Sequence, residues 1–157
     1  MKKVLFYLLV ACGLFQGCIT VDPPVDLRDA FVGVYSYQSE GSIEADLGIT
    51  TFTLPLDGTG EFTITKVGEG DQVQLIGVND TIYASVSGQN LILDINTIAT
   101  TIQGYSMELQ FANNTAILTD NILNWQTDLE AIVSVAGVSM RVGGQLTINA
   151  TKLVKTE

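Results

Sequence analysis

Tyr105-Ser106-Met107-Glu108-Leu109-Gln110-Phe111 decides the fold class. Apolar and polar residues alternate here without a break. In an extended chain, Tyr105, Met107, Leu109 and Phe111 share one face, and Ser106, Glu108 and Gln110 share the other. A helix would scatter these apolar side chains around its circumference, whereas a half-buried β-strand gathers them. The same period of two recurs on both sides of this stretch. Upstream, residues 30–38 place Phe31, Gly33, Tyr35 and Tyr37 together, and a second strand is expected over 42–56, bent at Gly48. Asp57-Gly58-Thr59-Gly60 turns the chain into 61–67, Gly68-Glu69-Gly70-Asp71 turns it into 72–78, and strands over 81–87 and 90–96 follow. Downstream come 115–120, 123–136, 138–142 and 144–154, with a helical turn admissible at Ile122-Leu123-Asn124-Trp125. No run keeps a helical period over ten residues. About nine or ten short strands joined by tight turns predict an all-β antiparallel meander in one domain. A barrel of about 8–10 strands is the leading form, and a two-sheet β-sandwich is the alternative.

Composition removes whole classes of chemistry. The chain has 157 residues and no histidine, which excludes Ser-His-Asp and Cys-His machinery and any zinc site built on imidazole. Catalysis would have to rest on carboxylates, tyrosines or a few lysines. Seventeen acidic residues face seven basic ones, a surface that repels phosphate backbones, so nucleic-acid binding is not expected. No cofactor and no metal is expected either. Both cysteines, Cys12 and Cys18, lie in the first eighteen residues, so the rest of the chain has no disulfide and must be stabilised by its apolar core. Hydrophobic residues make up 46% of the chain, which is ample material for one.

The first eighteen residues have a different logic. Lys2 and Lys3 form a positive start, residues 4–15 are apolar, and the small Gly17 stands directly before Cys18, the pattern of a secretory signal. Its end resembles the lipobox of bacterial lipoproteins, with Phe15 where leucine is most common and Gly17 as the small residue that a signal peptidase requires. The resemblance implies that Cys18 carries a diacylglycerol thioether and an acylated amino terminus, a bundle of chains sufficient for stable anchoring to a lipid bilayer. Leu9-Val10-Ala11-Cys12 is a rival site, but cleavage before Cys12 leaves a very short apolar segment. Twelve apolar residues do not span a membrane, which takes about 20. The expected organisation is a signal peptide at 1–17, a lipid-anchored tether at 18–29 containing Pro23-Pro24, and a single barrel domain at 30–157. Loss of Lys2 and Lys3 leaves five basic residues against seventeen acidic ones, a mature net charge of −12.

Asp26-Leu27-Arg28-Asp29-Ala30-Phe31-Val32-Gly33-Val34-Tyr35 resembles the domain start of small Bacteroidetes-type lipoproteins whose domains are lipocalin-like or calycin-like barrels, and Gly33-Val34-Tyr35 resembles the lipocalin Gly-X-Trp element. The closing stretch Gly144-Gln145-Leu146-Thr147-Ile148-Asn149-Ala150-Thr151-Lys152 is similar to their last strand. The resemblance implies an exported protein of the cell envelope, held at the outer membrane. Within such a barrel, Tyr35, Tyr37, Tyr105 and Trp125 are the candidate ligand-binding aromatics, and Tyr83, Phe52, Phe62 and Phe111 are further aromatics that could line a pocket. Residues 49–56, 91–102 and 132–142 are apolar on both faces, which calls for internal cover or for a partner surface. The carboxylate pairs Asp128 with Glu130 and Glu44 with Asp46 share strand faces, so each could serve glycoside hydrolysis or simply solvate a strand. Glu69-Gly70-Asp71 lacks the ligand density of a calcium loop. The sequence therefore predicts a non-enzymatic binding or accessory module for a small apolar ligand or an envelope protein. A solid structural barrel is the first alternative, and a carboxylate-dependent glycan hydrolase the second. An apolar cavity of about 300 Å³ or more would separate the first from the others.

Overall fold

The computed structural model describes residues 25–46, 51–78, 80–102, 105–135 and 138–154. Cys12, Phe15, Gly17, Cys18 and Pro23-Pro24 lie outside the described residues, as do Gly48 and Gly104. A short 3-10 turn at Leu27–Ala30 leads into eleven strands. They are β1 Gly33–Asp46, β2 Thr51–Pro55, β3 Gly58–Lys66, β4 Gln72–Ile76, β5 Thr81–Ser87, β6 Asn90–Leu93, β7 Thr97–Ile102, β8 Tyr105–Phe111, β9 Thr115–Thr119, β10 Ile122–Val135 and β11 Val138–Lys152.

Eight of these strands close into an antiparallel barrel in the order β11-β1-β3-β4-β5-β6-β9-β10. The ring is sealed by β10 against β11, which pair continuously from Ile122↔Thr151 to Val135↔Val138. Closure removes every edge that a sandwich would leave, and the sandwich alternative falls with it.

Three strands are far longer than the others: β1 and β10 have 14 residues each and β11 has 15. At about 3.3 Å per residue they outrun the barrel wall. The second half of β1 leaves β3 and pairs with β2, from Ser42↔Pro55 to Asp46↔Thr51. The second half of β10 leaves β9 and pairs with β8, from Leu129↔Phe111 to Ser134↔Ser106. With β7 beside β8, these halves form a second sheet, β2-β1-β11-β10-β8-β7, growing out of one end of the barrel. The inward parity never slips along β10, where Leu123, Trp125, Thr127, Leu129, Ala131 and Val133 are all buried. Barrel interior and extension therefore share one continuous apolar face. Two cores result, one inside the barrel and one of Ile43, Leu54, Met107, Leu109, Ala131, Val133 and Val142, and Leu56 and Phe111 pack against both.

Several sequence expectations need correction. No break separates residues 38 and 42, because β1 runs straight through Ser39, Glu40 and Gly41, and residues 42–46 belong to it rather than to the next strand. Likewise β11 runs through Gly143 and Gly144. Glycine reads as punctuation in a sequence, but Gly41 and Gly144 serve close strand approach. A Cβ on Gly41 would strike the Gln145 carbonyl, and one on Gly144 would strike the Ser42 carbonyl. The strand expected over 90–96 ends early, at Leu93, and a further strand, β7, starts at Thr97. Ile122-Leu123-Asn124-Trp125 is strand, not helical turn, because its inward residues complete the barrel wall.

Residues 26–29, expected in the tether, instead pack onto the barrel. Asp26 caps the 3-10 turn through the Arg28 amide at 3.0 Å and accepts both Nε and Nη2 of Arg28. The buried Arg28 also donates from Nη1 to the Gly68 carbonyl, pinning the turn to the β3–β4 hairpin. Lys66 reaches Asp26 and Asp29, each at 2.7 Å. The Arg28 guanidinium, and after it the Lys66 ammonium, hold the Asp26 carboxyl far below the usual carboxylate range. Above this latch, Phe31 and Tyr35 are wholly buried and plug that end of the barrel.

Candidate functional site

The plug fills only part of the barrel. Beyond it lies a cavity of about 330 Å³. One wall comes from β10 and β11 (Leu123, Trp125, Leu146, Ile148 and Ala150), and Phe62, Leu75 and Ile82 contribute on β3, β4 and β5. Its exposed lining residues are Gly77 and Asp80, which set the mouth beside the β4–β5 turn. Small side chains at Ala116 and Ala150 leave space that larger residues would occupy. An apolar hollow of this kind tends to stay dry and to accept apolar guests.

Two aromatics shape it. Tyr37 pairs across the strands with Gly60, and its ring lies where a side chain at Gly60 would stand, with Cε1 2.8 Å from the missing Cβ. The ring tilts against Phe62, with centroids 6.0 Å apart. Among the described residues its hydroxyl has no hydrogen-bond partner, leaving it available to a guest. Trp125 is held rigidly: its indole N–H donates to the Asn113 carbonyl at 2.8 Å, and its ring tilts on Phe111 at 5.2 Å. The Ser39 hydroxyl is taken up by the Leu56 carbonyl at 3.0 Å, so it offers little to a ligand. Thr127, the polar residue on the β10 stripe, donates to the Asp128 carbonyl and accepts the Asn113 amide. No buried side-chain polar atom is left unpaired among the described residues.

Of the candidate aromatics, then, the structure brings Tyr37 and Trp125 to the cavity. Tyr35 lies beneath it, stacked on Phe62 at 5.3 Å, with its hydroxyl donating to the Phe31 carbonyl at 2.8 Å. Tyr105 opens β8, in the extension sheet, and its side chain lies outside the described part; so does that of Phe52. Tyr83 faces outward. Asp128 and Glu130 lie on the exposed face of β10, where Asp128 accepts Gln145 Nε2 at 3.1 Å and Glu130 faces Arg141 at 3.6 Å. Glu44 is exposed too. Among the described residues no three His, Cys, Asp or Glu side chains converge as a metal site would require. Larger hollows near Gln38, Glu40 and Thr59, and near Thr100 and Glu108, are open polar grooves.

The chain matches no family model and no curated protein.

Sequence reasoning missed Asp80, which reads as turn material. The available signal was parity: Val73 and Leu75 point inward on β4, so the turn that follows the strand must stand at the rim. What the arrangement can do chemically is enclose an apolar body, offer one phenol from Tyr37 and present one carboxylate from Asp80 at the mouth.

Proposed function

We propose that this protein is an exported, Cys18-anchored lipoprotein of the bacterial envelope whose lipocalin-like barrel holds a small apolar ligand. The observation that carries the proposal is the 330 Å³ apolar cavity lined by Tyr37 and Trp125, within the size range of small-molecule sites. A solid structural barrel would not leave this space. A carboxylate-dependent hydrolase would need a second acid beside Asp80, and the paired carboxylates Asp128 and Glu130 lie on the opposite face of the wall. The anchor rests on Lys2-Lys3, the apolar residues 4–15, and Gly17 before Cys18, and the outer membrane of a Bacteroidetes-type cell is the location that the resemblance supports.

A protein partner is the second reading, favoured by one surface feature. Tyr83, Ile92 and Ile117 lie on the outer faces of the successive strands β5, β6 and β9, each at least two-fifths exposed.

The test uses the mature chain and the neutral apolar dye N-phenyl-1-naphthylamine. Saturating dye should raise the melting midpoint by several degrees, because a ligand that binds only the folded state stabilises it by mass action. It should also transfer excitation from Trp125, the sole tryptophan. Ala116→Phe, which fills the cavity, should abolish both effects. An unmoved midpoint without energy transfer would refute ligand binding. In a bacterial host, Cys18→Ser should move the protein from the membrane to the soluble fraction, and unchanged fractionation would refute the anchor.

A further inference from the structure

The cations are segregated along the barrel axis. Of the four basic residues described, three cluster at the plugged end. Arg28 and Lys66 are bound to Asp26, and Lys152 donates to the Ala30 carbonyl at 2.9 Å. The fourth, Arg141, lies on the outer face of the extension sheet against Glu130. The open end has none of these cations. Asp80 stands at the mouth itself. Glu40 and Asp57 line the neighbouring polar groove, with Asp57 Oδ1 accepting the Gly41 amide at 3.2 Å, and Asp94 lies with Tyr83 and Ile92 on the outer side of the wall. No described cation reaches this rim. An apolar chain seated in the cavity would thus hold its head group near the Asp80 carboxylate and the unpartnered Tyr37 hydroxyl.

From this juxtaposition we infer that the cavity selects amphiphiles with an uncharged or cationic head and rejects those with a carboxylate or phosphate head. The inference rests on the apolar-ligand reading and adds its selectivity. An anionic head at the mouth would lose its water and meet only like charge, with no Arg or Lys to form the charge-assisted bonds that recognise carboxylate and phosphate elsewhere. A hydroxyl or amide head can bond the Tyr37 phenol or Asp80, and an ammonium head gains attraction to Asp80 as well. Steering acts the same way, because a mature chain of net charge −12 repels anions at long range and draws cations in.

The experiment compares three ligands with one tail, dodecanol, dodecylamine and dodecanoate, each terminally brominated so that binding inside the barrel quenches Trp125. It is run at pH 7.5 and physiological salt, below the concentration at which any of them forms micelles. The alcohol and the amine should quench Trp125 and raise the melting midpoint, with dodecanoate binding at least tenfold more weakly than either. Asp80→Asn should narrow the amine-to-dodecanoate ratio by threefold or more. Because that variant keeps the Asp80 carbonyl that accepts the Gly77 amide at 2.9 Å, the turn should hold. Dodecanoate binding as tightly as the alcohol would overturn the selectivity and leave the apolar-ligand reading standing. Amine binding without Trp125 quenching would mean attraction to surface carboxylates alone, and would overturn it too. No quenching by any of the three would refute the ligand reading itself, and the selectivity with it.

Discussion

Tyr35 and Tyr37 stand two residues apart on β1 and face the same way, yet depth gives them different work. Tyr35 is fully buried in the plug, bonded to Phe31, and its phenol is pushed up to about 12 by burial. Because the folded state keeps a proton that the unfolded chain releases near pH 10, Tyr35 contributes stability below pH 10 that is lost as pH rises towards 12. Tyr35→Phe should cost about 1–2 kcal/mol at pH 7, the penalty for leaving the Phe31 carbonyl unpaired. It should also flatten the alkaline limb of the stability curve by up to about 1.4 kcal/mol per pH unit between those values. Urea titrations of both proteins at pH 7 and pH 11 check this, and parallel losses in the two would exclude Tyr35 as the titrating group. Alternation in the sequence put both tyrosines on one face of their strand. It could not rank them by height above the plug, because a period of two carries no coordinate along the barrel axis. Asp80 was hidden for a related reason: a carboxylate in a turn looks solvated until the strand before it is known to point its residues into a hollow.

At the scale of an element, the long strands were the hardest feature to see. Glycines at 41, 143 and 144 suggested ends, because glycine is usually where a strand stops or bends. Here Gly41 and Gly144 allow β1 and β11 to cross closely where the barrel opens into the extension, with Gly41↔Leu146 and Ile43↔Gly144 in register. Gly144→Ala should destabilise the protein by about 1–3 kcal/mol, since its new methyl would meet the Ser42 backbone rather than a movable side chain. Gly143→Ala is the matched control: its Cβ would meet nothing nearer than the Leu129 carbonyl at 3.9 Å, and its effect should stay within about 0.5 kcal/mol. Chemical denaturation of the pair checks the contrast. Equal effects would mean that general strand entropy, not the close approach, is what these glycines supply. The pairing partners of β7, β8 and β9 were illegible for another reason. Each strand shows a clean pattern of its own, but which half of β10 it joins depends on where the barrel closes, a property of the whole ring.

The molecule as a whole is two cores strung on the same three strands, and that arrangement governs how it should unfold. β1, β10 and β11 each lend one half to the barrel and the other to the extension, and Leu56 and Phe111 pack against both cores. Separating the cores would require melting half of each strand while the other half stayed paired, exposing long edges and leaving the shared residues without one of their packing surfaces. Both should therefore melt in a single transition. Leu54 offers the sharpest test, because it is wholly buried in the extension core and absent from the barrel core, whereas Trp125 belongs to the barrel core. Leu54→Ala should remove about 2–5 kcal/mol, the usual cost of a buried leucine truncation. The loss should register equally in Trp125 fluorescence and in far-ultraviolet circular dichroism, with coincident midpoints. If the fluorescence midpoint stays at its wild-type value while the dichroism splits into two steps, the extension is a separate folding unit, and the continuity of β10 does not transmit stability from one core to the other.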